Sequence, residues 1–197
     1  MKLTIVNSSG ERALAAAVEA LREGGADALT MRAVAERAGC TATALYRHFD
    51  GKDALVRAAT AQVAARFREA LDAASPHGAD PLDRLRAMLE AQRRFAVEEP
   101  RFYDLLFVLP PRGRPVAPGP VRRNTIFGQL VEAVVACIRD GSLRDDDPVE
   151  VALTLAALVQ GSVLLERRGR FASAEDFAAF HAAAVRRLLE GLARGVG

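Results

Sequence analysis

The chain has 197 residues, enough for one or two domains with a packed interior; half of them are hydrophobic and only 6% aromatic, a profile of helical proteins. Net charge is +2, and residues 1–75 hold ten Lys and Arg against nine Asp and Glu, so bulk charge points to no polyanionic partner. The only cysteines, Cys40 and Cys137, are too few and too unpatterned for a disulfide framework or a zinc site, and both read as core residues.

In chain order, the first nine residues read as an arm whose apolar run is too short for a signal peptide. A helix is predicted from Ser9 or Gly10, with Leu14, Ala17, Val18 and Leu21 on one face and Gly24–Gly25 as its stop. Next comes T-M-R-A-V-A-E-R-A-G-C-T-A-T-A-L-Y-R-H-F-D-G-K, Thr30 to Lys52. Thr30 caps a short helix to Ala38, and Gly39 supplies the left-handed turn that a glycine adopts cheaply. Thr41 caps a second helix through Tyr46. Val34, Ala35, Ala38 and Leu45 form the inside of the corner. This is the pattern of a helix-turn-helix, whose second helix enters a DNA major groove.

A long helix is predicted from Lys52 to about Ala74, with Leu55, Ala59, Val63, Phe67 and Leu71 as its stripe, ended by Ser75–Pro76–His77–Gly78. Asp80–Pro81 starts another, with Leu82, Leu85, Leu89, Gln92 and Phe95 or Ala96 on one face, to Glu99–Pro100. A short apolar helix follows over Arg101–Val108. Pro110–Pro120 holds five prolines interleaved with glycine and reads as a loop. Helix resumes near Val121, with Ile126, Leu130, Val134 and Cys137 or Ile138 on one face, and stops at Asp140–Gly141. Asp147–Pro148 starts a helix to about Arg168 that is apolar on most sides, a sign of burial all round. Its core, Val151–Leu165, is interrupted by Thr154, Gln160 and Gly161 and is expected to fall short of a membrane span. Ser173 and Asp176 cap the last helix, where Phe177, Phe180, Ala184, Leu188 and Leu192 repeat. The fold class is therefore all-α, with about nine helices: an N-terminal three-helix head (1–53) carrying the helix-turn-helix, and a C-terminal antiparallel helical bundle (54–197) for ligand binding and dimerisation.

The run Leu29–Leu55, with its Thr30–Arg32 start, A-G-x-T turn, L-Y-x-H-F block and K-D-x-L helix start, resembles the DNA-binding segment of the tetracycline-repressor (TetR) family. More loosely, E-E-P-R-F-Y-D-L-L-F and L-V-Q-G-S-V-L-L-E resemble the regulatory domain named for a Trp-His-Gly motif. Val159–Gln160–Gly161 stands at that motif's place, so only the glycine matches. The resemblance implies a cytoplasmic transcriptional regulator with no cofactor or metal, homodimeric through its last two helices. It would act as a repressor on a palindromic double-stranded DNA operator and be released by a small apolar or aromatic effector.

Base edges are within reach of Thr41, Ala42, Thr43 and Ala44, with Arg47 just beyond. Thr43 can bond a base or touch a thymine methyl, and Arg47 suits guanine or a phosphate. The resemblance places Tyr46, His48 and Lys52 on phosphates, and Thr30 and Arg32 on the opposite strand. Phe49 reads as a core aromatic, and Tyr46 as a ring in the core with its hydroxyl outside. Candidates for an effector lining are Phe95, Phe102, Tyr103, Leu106, Phe107, Ile126, Phe127, Leu130, Val134, Leu158 and Gln160, mostly apolar with a few polar groups. Each alone also reads as bundle core. His77 and His181 have no partner at metal or catalytic spacing and are expected to be solvated. With no paired carboxylates and no nucleophile–base set, an enzyme is not expected. The alternative is a helical ligand-binding or interaction module without DNA function.

Overall fold

The computed structural model describes residues 8–74, 78–108 and 125–193. Expectations for the arm, for residues 75–77, for the loop 110–120 and for a helix start near Val121 fall outside them. Among the described residues there are nine α-helices, one π-helical turn and no strand, only an isolated bridge between Leu143 and Ala193. The chain divides into two compact units, one built from residues up to 66 with 99–108, the other from 67–98 with 125–193.

In the first unit, Ser8 starts α1 (Ser9–Ala28) with a capping box. Its hydroxyl accepts from the Glu11 N–H at 3.2 Å, and the Glu11 carboxylate accepts from the Ser8 N–H at 2.7 Å. The expected stop at Gly24–Gly25 is instead a kink. Gly25 leaves helical geometry at φ 70°, and helix resumes to Ala28. Ala13, Ala16, Ala17, Val18 and Leu21 face α2 (Met31–Arg37) and α3 (Ala42–Tyr46), and Leu14 is half-buried. Side-chain contacts pin α1 to this pair. The Arg12 Nε donates to the Ala38 carbonyl at 3.1 Å, and Arg37 pairs with Glu23. Helix α4 (Gly51–Ala73) carries the predicted stripe, all five residues at most 5% exposed, and passes from this unit into the next.

The helix expected over Arg101–Val108 is a single α-turn, α6 (Pro100–Tyr103), continued by a π-turn (Asp104–Val108). The Tyr103 and Phe107 rings stack across the junction, 4.8 Å between centroids. Helix α6 packs on α1, where Arg22 and Glu99 form an ion pair.

The second unit packs α5 (Pro81–Glu98), α7 (Ile126–Arg139), α8 (Pro148–Arg167) and α9 (Ala174–Leu192) around Leu85, Leu89, Val134, Cys137, Leu155, Val159 and Leu189. Caps again start the helices: Asp80 on the Asp83 N–H, Thr125 on Gly128, Asp147 on Val149 and Glu150, Ser173 on Asp176. Cys137 is fully buried, and desolvation raises its thiol pKa to about 11.

Three expectations for this unit are overturned. Helix α8 is not buried all round in the single chain. Val151, Ala152, Leu155, Val159, Ser162 and Val163 face inward, while Leu153, Leu164 and Leu165 are 54, 52 and 41% exposed. Nor does α8 fall short of a membrane span by length and composition, since it is long and apolar enough for one. Its inward face nonetheless belongs to the unit's core. The buried stripe of α9 is Phe177, His181, Val185 and Leu189; Phe180 is 37% exposed, and Ala184, Leu188 and Leu192 are only partly covered. An alanine-rich helix offers two adjacent stripes of similar hydrophobicity, and packing against α5 and α8 selects the one that contains a histidine.

Candidate DNA-binding interface

The corner between α2 and α3 is built almost wholly from local bonds. The Thr30 hydroxyl accepts from the Ala33 N–H at 3.2 Å and opens α2. At its end the Gly39 N–H donates to Glu36 O at 3.1 Å, and the Cys40 N–H to Ala35 O at 3.0 Å. That paired closure needs a left-handed residue, and Gly39 has φ 63°. The Thr41 hydroxyl accepts from the Ala44 N–H at 3.1 Å and opens α3. Val34, Ala35, Ala38 and Leu45 are buried inside the corner, and Cys40 is half-buried beside it. A five-residue helix has little stability of its own, so Leu45 and the cap hold α3 in place.

With Leu45 as the only buried residue of α3, the rest of this helix faces out. Thr41, Ala42, Thr43, Tyr46, Arg47 and His48 are exposed and Ala44 is half-buried. Tyr46 is 55% exposed, so its ring is not the partial core residue expected, while Phe49 is half-buried. Thr30 and Arg32 are exposed at the start of α2. Both capping threonines accept from the backbone yet keep their own O–H to donate, which is the proton a phosphate oxygen would take. Lys52, in the first turn of α4, is half-buried and donates its Nζ to Asp27 O at 3.3 Å.

Two residues expected only as a helix start, Ser9 and Gly10, complete this surface. The Ser9 hydroxyl lies 2.8 Å from the His48 Nε2, tying the start of α1 to the end of α3. Gly10 lies under the imidazole, where an added Cβ would come within 3.2 Å of Nδ1. Neither carries a local sequence signal, because the contact spans 39 positions. The result is an exposed short helix flanked by Arg32, Arg47, His48 and Lys52, with hydroxyls at both helix starts. Such a surface can sit in a major groove, reading bases with α3 and holding phosphates from its rim.

The effector-lining candidates do not form one cluster. Phe102 and Tyr103, buried, and Leu106 and Phe107, half-buried, belong to the first unit. In the second, Leu130 and Val134 are core, Ile126, Phe127 and Leu158 are half-buried, and Phe95 stacks on Phe67 at 4.3 Å. Gln160 is exposed on the outer side of α8, where an amide keeps its water, so it is not the polar group of an apolar lining. Two cavities of the second unit have other walls. One of about 480 Å³ lies among Arg68, Asp72, Arg84, Met88, Gln129 and Glu132. The other, of about 430 Å³, lies between α5 and α9.

His181, expected to be solvated, is 1% exposed, and its Nδ1 lies 3.0 Å from the Ser162 hydroxyl. The Ser162 hydroxyl also reaches Val159 O at 2.8 Å, and the Leu89 backbone bonds the same imidazole from α5. Among the described residues, no three potential metal ligands converge.

The family model of bacterial regulatory proteins of the tetR family matches residues 13–59, and that of the tetracyclin repressor-like C-terminal domain matches residues 85–188. No curated protein matches the sequence significantly. Among solved structures, a Rhodococcus sp. RHA1 protein of unknown function superposes with TM-score 0.77 at 23% identity, covering 98% of this chain and 100% of that one. A TetR-family transcriptional regulator from Pectobacterium atrosepticum gives 0.66 at 24% identity, with 93% of each chain covered. A tetR-family regulatory protein from Rhodococcus RHA1 gives 0.60 at 19%, covering 96% and 99%. These likenesses concern the fold. Together with the exposed helix-turn-helix and the two matched domains, they make this chain a member of the TetR family, a DNA-binding transcriptional regulator.

Proposed function

We propose that the protein is a homodimeric repressor, released from a palindromic operator by a small apolar or aromatic effector. One observation carries the DNA half of this reading: α3 buries Leu45 alone and turns Thr43, Tyr46, Arg47 and His48 outward. Arg47 reads a base or grips a phosphate. Thr30, Arg32, Tyr46, His48 and Lys52 hold the two backbones, and Thr41–Ala44 approach the base edges. A protein with this role works where the chromosome is, in the cytoplasm.

The dimer reading rests on the outer faces of α8 and α9. Leu153, Ala157, Gly161 and Leu164 recur three and four residues apart on the side of α8 turned away from its core, and Phe180 and Ala184, four residues apart on α9, are left partly uncovered. Gly161 has nothing within 4 Å of where a Cβ would stand, so a second helix can approach closely there. Two such faces related by a two-fold axis would form a four-helix interface and set the heads about 34–36 Å apart, one turn of DNA. The effector would contact the apolar residues Phe95, Ile126, Phe127, Leu130, Val134 and Leu158, and α4 would carry the change to the head. Such coupling is usually about 1–3 kcal/mol.

The test starts from a duplex selected by the wild-type protein out of a random pool. Fluorescence anisotropy should then show affinity falling steeply with added salt, and falling at least tenfold for the Tyr46→Ala, Arg47→Ala double variant. A folded double variant that binds as tightly as wild type would sink the DNA assignment.

A further inference from the structure

The contact between the start of α1 and the end of α3 bears on the state of an imidazole at the DNA-binding surface. The Ser9 Oγ stands 2.8 Å from the His48 Nε2. Among the described residues neither side chain has another hydrogen bond, so nothing competes for the Ser9 proton and Nδ1 is the ring nitrogen left over. Gly10 lies against the same ring. A Cβ there would stand 3.2 Å from Nδ1, 3.3 Å from Cγ and 3.5 Å from Cε1. Distances so nearly equal place Gly10 over the face of the imidazole. A group lying off the Nδ1 edge, in the ring plane, would be much farther from Cγ and Cε1 than from Nδ1. The in-plane direction along which Nδ1 makes a hydrogen bond is therefore not the one Gly10 occupies. His48 is exposed, as are Tyr46 and Arg47 just before it.

A neutral imidazole carries one ring N–H, and the bond made at one nitrogen determines which nitrogen holds the hydrogen. Phosphate oxygens only accept. An imidazole with its hydrogen on Nε2 would give it to Ser9 and turn a bare lone pair towards a phosphate, which repels it. With the Ser9 O–H donating to Nε2, the hydrogen stays on Nδ1 and is available. A carboxylate or a carbonyl in the place of the hydroxyl could only accept, and would pull the hydrogen onto Nε2. Glycine at position 10 is the second condition, because a Cβ at 3.2 Å from the ring is tighter than ordinary contact and would push the imidazole aside.

We propose that Ser9 is a positioning residue for DNA binding. Its hydroxyl donates to the His48 Nε2, Gly10 leaves the ring room to lie flat against the start of α1, and the neutral imidazole presents Nδ1–H to a phosphate of the operator backbone. This rests on the reading, made above, that His48 holds a phosphate. The contact then needs no ionised histidine, and it depends on α1 as well as on the helix-turn-helix.

The experiment uses the full-length protein and the duplex selected by the wild type, with anisotropy read at pH 8, above the ordinary histidine pKa of about 6.5. One net hydrogen bond is worth roughly fivefold in affinity, so His48→Ala and Ser9→Ala should each weaken binding by about that factor or more. Ser9→Thr, which keeps the hydroxyl, should bind like the wild type. In the His48→Ala background Ser9→Ala should add nothing, since Ser9 acts through His48. Gly10→Ala should weaken binding without lowering the urea midpoint, because alanine favours a helix over glycine; a merely structural role would move both together. The chain has three histidines, so with ¹⁵N-histidine the His48 resonances are identified by their absence in His48→Ala. They should show the hydrogen on Nδ1 and a bare Nε2 in the wild type, and move towards the other tautomer in Ser9→Ala. A His48→Ala variant that binds like the wild type overturns the phosphate reading and the proposal with it. Where His48→Ala does weaken binding, four results overturn the proposal alone: an indifferent Ser9→Ala or Gly10→Ala, a Ser9→Thr as weak as Ser9→Ala, additive losses in the double variant (Ser9 then touches DNA itself), or a hydrogen on Nε2 in the wild type.

Discussion

Leu164→Ala tests the two-fold interface most directly. In the single chain Leu164 is 52% exposed on the outer face of α8, so its removal leaves the monomer core almost untouched. Fully burying a leucine is worth about 1.5–3 kcal/mol, so covering the exposed half contributes about 1 kcal/mol. A two-fold axis counts every residue twice, which makes about 2 kcal/mol per dimer. That corresponds to a roughly 30-fold rise in the dimer dissociation constant. Leu164→Glu should go further, because it buries a carboxylate and brings two like charges near the axis, so this variant should be monomeric at micromolar concentration. Sedimentation velocity over a dilution series reads both effects, with circular dichroism and urea unfolding to show that the subunit fold survives. Operator affinity should fall with the dimer, and any residual single-head binding, with half the phosphate contacts, should show about half the wild-type salt slope. A wild-type protein that sediments as a monomer throughout, or an alanine variant with an unchanged dissociation constant, would refute the reasoning.

Other outcomes follow from single contacts. Thr41→Ala should lower unfolding stability by about 1 kcal/mol while Thr41→Ser keeps it; equal urea midpoints for the two would show that the 3.1 Å bond to the Ala44 N–H is not a cap. Burial holds the His181 pKa below its ordinary 6.5, with Glu90 and a hydrogen bond to the Leu89 backbone acting against it and Arg93 in the same direction. The unfolded chain therefore binds the proton first. Stability present at neutral pH should be lost as pH falls through about 6.5 towards the lower folded value. Urea midpoints between pH 7.5 and 5 should show this slope, and His181→Gln should reduce it; an identical slope in the variant would assign the effect elsewhere. Cys137, buried with its pKa raised to about 11, should resist iodoacetamide at pH 8 until the protein unfolds, whereas half-buried Cys40 is alkylated in the native state. Mass spectrometry of the labelled peptides distinguishes them.

What could be read from the chain alone is what depends on neighbours three or four residues away. Ser8, Thr30, Thr41, Asp147 and Ser173 each accept from a backbone N–H at most three positions on, so helix starts follow from residue type. Gly39 marks its turn for the same reason, and the α4 stripe is visible because large residues recur every four positions with polar ones between them. The exposed face of α3 was legible apart from Tyr46, since Leu45 is its only large aliphatic residue.

Where several registers have similar hydrophobicity, the sequence leaves the choice open and packing makes it. Alanine-rich α9 could bury Phe180 and Leu188 or His181 and Leu189, and contact with Ser162 and α5 selects the second. On α8, apolar nearly all round, only its neighbours determine that Leu153 and Leu164 stay outside and that Gln160 keeps its water. The bonds from Ser9 to His48 and from Ser162 to His181 join residues 39 and 19 positions apart, so no local pattern encodes them. The sequence by itself determined the helices, their caps and the helix-turn-helix. Only the tertiary structure decided which faces meet, because that depends on the shape and polarity of residues distant in the chain.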